Sequence, residues 1–375
     1  MRILLGKSVI ATLWLVALAQ GLAAQSVDAL YTRFQAMSGF EFRGYDFGPG
    51  ITTTSTTQWR IPVVAVAPVG RSVSVDVTAN YSSSTLETTG STETLTGLSD
   101  TQLRVLYTIS RDRMVASLSL NLPTGLQDLS PAEFAVAGAI GSNYLSFPVS
   151  SAGTGFAATG GVAWAQASGD WNLGFSGSFR YQGSYTPLAD SSGSIDYQPG
   201  AEYRVRGGAD RLLGQRTRLL LGLTFSTFSQ DEFTGASNGR YAPGHRFIGE
   251  LGLARQVGTS TVTLVAWDYY RLAGATNDTS DLTTKENIFN AELRWGFPAT
   301  PRIQIEPLVG FRQYSPADYR GGRLFSGGVG ARAVLTDRWT ATLSGRLDTG
   351  WVYAEGVGRA DVTGFGLTAL FRYQR

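Results

Sequence analysis

Apolar and polar residues alternate with a period of two through most of the chain. The stretch Lys285–Tyr314 shows the pattern most fully. In its first half Phe289, Ala291, Leu293, Trp295 and Phe297 share one face, and Glu286, Asn290, Glu292 and Arg294 the other. Pro298-Ala-Thr-Pro301 interrupts the alternation. In the second half Ile303, Ile305, Pro307, Val309 and Phe311 alternate with Arg302, Gln304, Glu306 and Arg312. Successive side chains on a strand point to opposite faces, so the stretch predicts two strands and a tight turn. Each strand has one apolar and one charged face.

The unit recurs along the chain. A first strand is expected from about Phe34 to Phe47, followed by a turn at Gly48-Pro-Gly50. Further apolar faces run through Trp59–Ala65, Val73–Tyr81, Leu103–Ile109, Met114–Leu122, Trp171–Tyr181, Leu219–Phe225 and Phe247–Leu253. Others follow at Phe325–Ala333, Trp339–Leu347 and Phe365–Tyr373. Thr261–Leu272 has no clear register, and Asp268 is expected to face away from the apolar side. Short turns alternate with longer polar loops near residues 82–100, 123–155, 182–196, 230–243, 273–284, 315–321 and 350–360. A soluble sandwich or β-helix explains neither this alternation nor the aromatic residues at the ends of the apolar faces. The pattern predicts an all-β fold: a transmembrane, antiparallel, up-and-down β-barrel of about 16 strands, with about 14 as the nearest alternative. Only a closed sheet gives every strand backbone group in lipid a partner. The expected location is the bacterial outer membrane, and outer-membrane lipid is the first expected partner.

The first residues stand apart. Arg2 and Lys7, the apolar run Val9–Leu18 and the small end Leu22-Ala23-Ala24 predict a signal peptide over 1–24, removed after Ala24. The barrel domain would span 25–375, with Gln25–Thr32 as a short lead-in. Arg2 and Lys7 carry both units of the formal net charge of +2, so the mature chain is formally neutral and no nucleic-acid partner is expected. Charged residues make up only 16% of the chain and mean hydropathy is −0.03, which suits apolar residues spread singly through alternating strands. No later segment is apolar for long enough to make a transmembrane helix.

The polar faces would line a lumen, and they are rich in Arg. Arg204, Arg206, Arg218, Arg294, Arg302, Arg312 and Arg346 are candidate pore-lining residues, with Glu292 and Glu306 among the acids. Arg43, Arg60, Arg104, Arg180 and Arg246 fall on the same faces. A planar, permanently charged guanidinium suits carboxylate and phosphate. A wall of them favours anions. Pairing with the acids across neighbouring strands would instead hold the wall rigid, and both readings stay open here. A barrel this wide is not filled by its own side chains. A narrowing element is therefore expected, and the long loop Pro123–Gly155, with Asp128 and Glu133 as its acids, is the candidate for folding inward.

Taken whole, the chain resembles outer-membrane porin-type barrels: leader, strand number, long third outer loop and an aromatic last strand ending Phe371-Arg-Tyr373-Gln-Arg375. Pro131-Ala-Glu-Phe134 is similar to the acidic turn of the porin constriction loop. Leu122-Pro-Thr-Gly125 resembles a strand end in the fatty-acid and phenol-degradation transporter types. The resemblance implies a channel for passive diffusion of small solutes and an encounter with the barrel insertion machinery. The transporter likeness keeps uptake of hydrophobic compounds as the alternative. Monomer and homotrimer both stay open; small outward residues at Ala158–Val162 would suit a packed wall patch.

Chemistry points away from catalysis. The chain has no Cys, so Cys-ligated metals and disulfides are excluded. Its one His, His245, sits in Pro243-Gly-His-Arg246 at a strand end, and no nucleophile elbow or phosphate-cradling loop appears. No enzyme activity and no cofactor are expected. A structural, adhesive or enzymatic barrel remains the third class, since a carboxylate pair across strands leaves no mark in sequence.

Overall fold

The computed structural model describes residues 33–110, 113–190, 193–235, 239–276, 285–316, 321–354 and 358–375. The leader 1–24, the lead-in Gln25–Thr32 and much of the loop near 273–284 lie outside them.

The strands are β1 (Gln35–Phe47), β2 (Thr53–Val69), β3 (Val73–Thr88), β4 (Thr92–Leu98), β5 (Thr101–Ser110), β6 (Met114–Leu122), β7 (Ala157–Ser168) and β8 (Trp171–Gln182). They continue as β9 (Tyr185–Asp190), β10 (Gly193–Gln198), β11 (Glu202–Leu213), β12 (Thr217–Phe228), β13 (Asp231–Gly235), β14 (Gly239–Ala242) and β15 (Arg246–Val257). The last are β16 (Ser260–Arg271), β17 (Ala275–Thr276), β18 (Glu286–Thr300), β19 (Ile303–Pro316), β20 (Gly322–Val334), β21 (Trp339–Ala354) and β22 (Gly358–Gln374). One helix, α1, spans Pro131–Ile140.

The protein is a closed antiparallel barrel of 16 strands. Closure is direct: β1 pairs with β22, Gln35 opposite Gln374 and Phe47 opposite Val362. One of the 16 staves is broken. β3 pairs with β4 above, at Tyr81 opposite Leu98, and with β5 below, at Thr78 opposite Gln102. The interruption falls at Ser99-Asp100.

Burial is inverted relative to a soluble protein. Leu347 (65%), Leu223 (58%) and Val309 (58%) are among the most exposed side chains, while Asp348 (5%) and Arg312 (7%) are buried. An exposed apolar surface this extensive needs a partner, and the partner is lipid. Aromatic rings edge the belt. Trp339 packs on Tyr373 at 5.1 Å and Phe34 on Tyr373 at 6.2 Å at the short-turn end. Phe311 stands between Phe289 (6.5 Å) and Phe325 (5.2 Å) toward the other end. The short turns and both ends of the barrel sheet mark the periplasmic side, as in outer-membrane barrels generally.

Several predicted loops are strand. β3 and β4 build a hairpin where a polar loop was expected over 82–100. Ser82, Ser84 and Leu86 point inward and are buried, and Ser83 and Thr85 pair across to Thr96 and Thr94. Hydroxyl pairs replace the apolar face here because this part of the wall stands clear of lipid. The expected loops at 182–196 and 230–243 carry β9, β10, β13 and β14, which with β17 form a separate five-stranded outer sheet. The stretch near 350–360 continues β21 and opens β22.

Asp268 corrects another expectation. It pairs with Phe289 and Gly249, on the lipid-facing side, whereas its neighbours Trp267 and Tyr269 face inward. Its carboxylate accepts from Asn287 Nδ2 at 2.8 Å, near the outer end of the wall.

Candidate functional site: an inserted segment between two unlike lumen walls

The long third outer loop folds into the barrel, as one reading of its sequence expected. The segment begins and ends on a single carboxylate. Asp100, at the stave break, accepts from Gly125 N (3.1 Å), Thr154 N (2.6 Å) and Thr154 Oγ1 (3.1 Å). Gly125 and Gly153 make the crossing of the two ends feasible: a Cβ on Gly125 would stand 2.2 Å from Ala152 O. The Leu122-Pro-Thr-Gly125 stretch is thus one half of a clasp, and Thr124 Oγ1 adds a bond to Ser99 O at 3.1 Å.

Inside the clasp, α1 starts on a capping box. Ser130 Oγ accepts from Glu133 N, and Glu133 Oε2 accepts from Ser130 N at 2.9 Å, with Pro131 opening the first turn. Ser-Pro-x-Glu at 130–133 is a helix start written in the sequence, and it was the missed signal. Pro131-Ala-Glu-Phe134 is therefore a helical first turn rather than an acidic constriction. Glu133 is occupied by its own cap, and Asp128 is exposed. Neither acid meets the Arg wall.

What meets the wall instead is main-chain carbonyl. Arg312 Nη1 donates to Tyr144 O at 2.7 Å, Tyr45 Oη to Leu145 O at 2.9 Å, and Arg43 Nη1 to Ser146 O at 3.4 Å. Arg60 Nη1 donates to Pro148 O at 3.2 Å. Gln58 holds Val149 from both sides, Nε2 donating to Val149 O (2.7 Å) and Oε1 accepting from Val149 N (2.8 Å). Consecutive carbonyls turned outward require an irregular backbone, and Ser146 adopts φ 51°. Apolar side chains fill the other side. Val136, Ile140, Tyr144, Leu145 and Phe147 pack with the inward Tyr45, Ile288, Leu324 and Val362 into one buried core. Phe147 meets Tyr45 edge-on at 5.6 Å. The segment is a plug-like body seated on one wall, from β18 round to β3.

That wall carries a charge network below the segment. Arg346 reaches Glu292 (2.8 Å) and Asp348 (2.8 Å), and Arg294 pairs with Glu292 (2.5 Å) and Glu306 (3.5 Å). Arg346 and Glu292 sit three staves apart, and the contact spans inward Gly310, Gly328 and Ser326, whose small size leaves the path clear. Ser326 Oγ donates to Asp348 Oδ1 at 2.5 Å.

The opposite wall, β8 to β15, is different. Arg180, Arg204 and Arg246 point inward around Glu202, to which Arg204 is paired at 2.7 Å. Arg206 pairs with Glu250 (2.6 Å) and Arg218 with Asp210 (3.1 Å) further down. The guanidinium of Arg246 lies 4.4 Å from the Phe228 ring centre. Of the expected pore-lining residues, Arg204, Arg206, Arg218, Arg294, Arg312, Arg346, Glu292 and Glu306 all face inward. Arg302 does not belong with them: it is exposed in the periplasmic turn between β18 and β19. The sequence reading missed Asp100, Tyr45 and Gln58, none of which stands out until the segment is inside.

The outer sheet roofs this half. Leu129 bridges to Leu188, and Ala189 N donates to Leu129 O at 3.1 Å, so the roof is tied to the inserted segment. Within the roof Tyr197 Oη donates to Asp231 Oδ2, and Gly200 N donates to Asp231 Oδ1 at 2.6 Å. Burial first, then the neighbouring Asp231 carboxylate, push the Tyr197 hydroxyl far above its usual pKa, so it stays a donor.

No protein-family model matches the chain, and no curated protein matches it. Among solved structures it is similar to an anion-selective porin from Comamonas acidovorans, at 10% identity over 91% of this chain and 98% of that one, with a TM-score of 0.43. It is also similar to a Pseudomonas aeruginosa FadL homologue, at 8% identity over 91% and 90% of the two chains, with a TM-score of 0.46. A third, OmpT of Vibrio cholerae with loop L8 deleted, matches at 9% identity over 91% and 99%, with a TM-score of 0.43. The placement of this chain in an outer membrane follows from its own closed, inside-out barrel.

Proposed function

We propose that the protein is an outer-membrane channel for passive diffusion of small solutes, with a mild preference for anions and no catalytic role. The observation that carries this reading is the asymmetry of the lumen. The inserted segment occupies the β18–β3 side and satisfies Arg43, Arg60 and Arg312 with carbonyls. On this reading the path beside it follows the β8–β15 wall, where Arg180, Arg204, Arg246 and the adjoining Arg271 stand near Glu202, Asp100 and Glu286, one cation more than the acids. A fixed positive excess beside a narrowed path raises the local anion concentration. The paired ions lower on the same wall, Arg206 with Glu250 and Arg218 with Asp210, add rigidity and little net field.

The test is single-channel recording of the refolded mature chain in a planar bilayer under a salt gradient. Stable ohmic steps with a reversal potential on the anion side are expected. Cation selectivity at neutral pH would overturn the anion reading, and a folded barrel without conductance would overturn the channel itself.

A further inference from the structure

The outer face of β20–β22 carries a group that the channel reading does not use. Just beyond the aromatic edge of the apolar belt, Arg323, Trp351, Tyr353 and Arg359 point away from the barrel. Arg323 lies opposite Trp351 in the β20–β21 pairing, and Tyr353 lies opposite Arg359 in the β21–β22 pairing. Both guanidiniums lean on the same indole, Arg323 at 5.9 Å and Arg359 at 5.4 Å from its centre. Tyr353 closes on Trp351 edge-on at 5.4 Å. Two clefts flank the indole. One, of about 310 Å³, is bordered by Arg323, Gln313 and Ser315; the other, of about 390 Å³, by Arg359, Thr349 and Thr363. Phe325 lies at the foot of the second.

We propose that this is a binding site for the phosphorylated headgroup of an outer-leaflet lipid. Position selects the class of ligand. The site faces the membrane rather than the lumen, and it begins where the apolar belt ends, which is headgroup level. Chemistry selects the phosphate. A guanidinium offers several donors in a plane, and an aromatic ring beneath it holds that plane without consuming them. Hydroxyl and amide groups of Ser315, Gln313, Thr349 and Thr363 supply neutral donors around it. The nearby carboxylates are Asp361, paired with Arg359 at 3.1 Å, and Asp46, opposite Thr363. Arg323 has no carboxylate partner among the described residues, so a cation is held at the lipid surface with only an aromatic ring against it. An acyl chain continuing from the headgroup would lie over Phe325, Leu347 and Phe365, all exposed on the same face.

Native mass spectrometry of the refolded full chain tests this, with a diphosphorylated glucosamine-based glycolipid and its dephosphorylated form offered at equal concentration. The phosphorylated form should be retained selectively. The R323Q/R359Q variant should lose that retention about tenfold or more, while R323K/R359K keeps part of it through charge alone. Heat-modifiable electrophoretic migration reports that each variant is folded. Equal retention of both glycolipids, or unchanged retention in R323Q/R359Q, would overturn the site. Inorganic phosphate bound as tightly as the phosphorylated glycolipid would overturn the lipid assignment and leave an adventitious ion only. A dimer that disappears with R323Q/R359Q would assign the patch to a second copy of the chain instead.

Discussion

The two walls of the lumen are built from the same alphabet and do opposite work. On the β18–β3 side, Arg43, Arg60 and Arg312 donate to main-chain carbonyls of an inserted segment, Arg60 while also paired with Glu41 at 2.8 Å, and an apolar core seals the contact. On the β8–β15 side, Arg180, Arg204 and Arg246 gather around Glu202 beneath the outer sheet, with no row of main-chain carbonyls set against them among the described residues. The lesson is that an arginine's role in a barrel depends on what stands in front of it. Facing a carbonyl it is a structural donor; grouped with other guanidiniums around a few carboxylates it is part of a field.

Removing the seated body should have the largest effect. Replacing Pro131–Val149 with a short Gly-Ser linker is expected to raise single-channel conductance about threefold or more, because a barrel of this strand number encloses an open aqueous lumen. Unchanged conductance would mean that ions never pass beside the segment. Next comes the charged wall. The triple change Arg180→Gln, Arg204→Gln and Arg246→Gln should move the reversal potential in a tenfold salt gradient by about 20–30 mV toward cations. A shift of that size from changing Arg43, Arg60 and Arg312 instead would reverse the assignment of the two walls.

Smaller effects probe the seat. Phe147→Ala opens a cavity against Tyr45 and should cost the segment about 3 kcal/mol, read as lost hydrogen-exchange protection over 142–149 with the barrel strands unaffected. Asp100→Ala removes the clasp at Gly125 and Thr154 and should cost about 2 kcal/mol, seen as added current noise. Arg302→Ser should leave the reversal potential where it was, since that side chain is exposed in a periplasmic turn; a clear shift would put it back on the path.

Much of the barrel is legible in the amino-acid sequence. Trp295, Leu293 and Phe289 faced lipid as their spacing said, and Glu292 and Arg294 faced inward, because strand alternation is local and needs no knowledge of the partner strand. The stave break at Ser99-Asp100 was not legible, nor was the β3–β4 hairpin above it, because Ser and Thr alternate without an apolar face to mark them. Asp268 was placed on the wrong side for a related reason. In Thr261–Arg271 both faces carry bulky residues, so periodicity could not choose between registers, and Asn287 on the next stave settles it.

The alternation of residues along the chain thus determined the strands, the lipid-facing side and the inside-out architecture, since each follows from contacts one or two residues away. Whether the long loop entered the lumen, which arginines it engaged and which it left without its carbonyls were decided only by tertiary structure. Those outcomes depend on pairs such as Arg312 with Tyr144 and Tyr45 with Leu145, brought together from residues far apart in sequence. Backbone carbonyls, which every residue carries alike, supply the acceptors, so no side-chain pattern announces them.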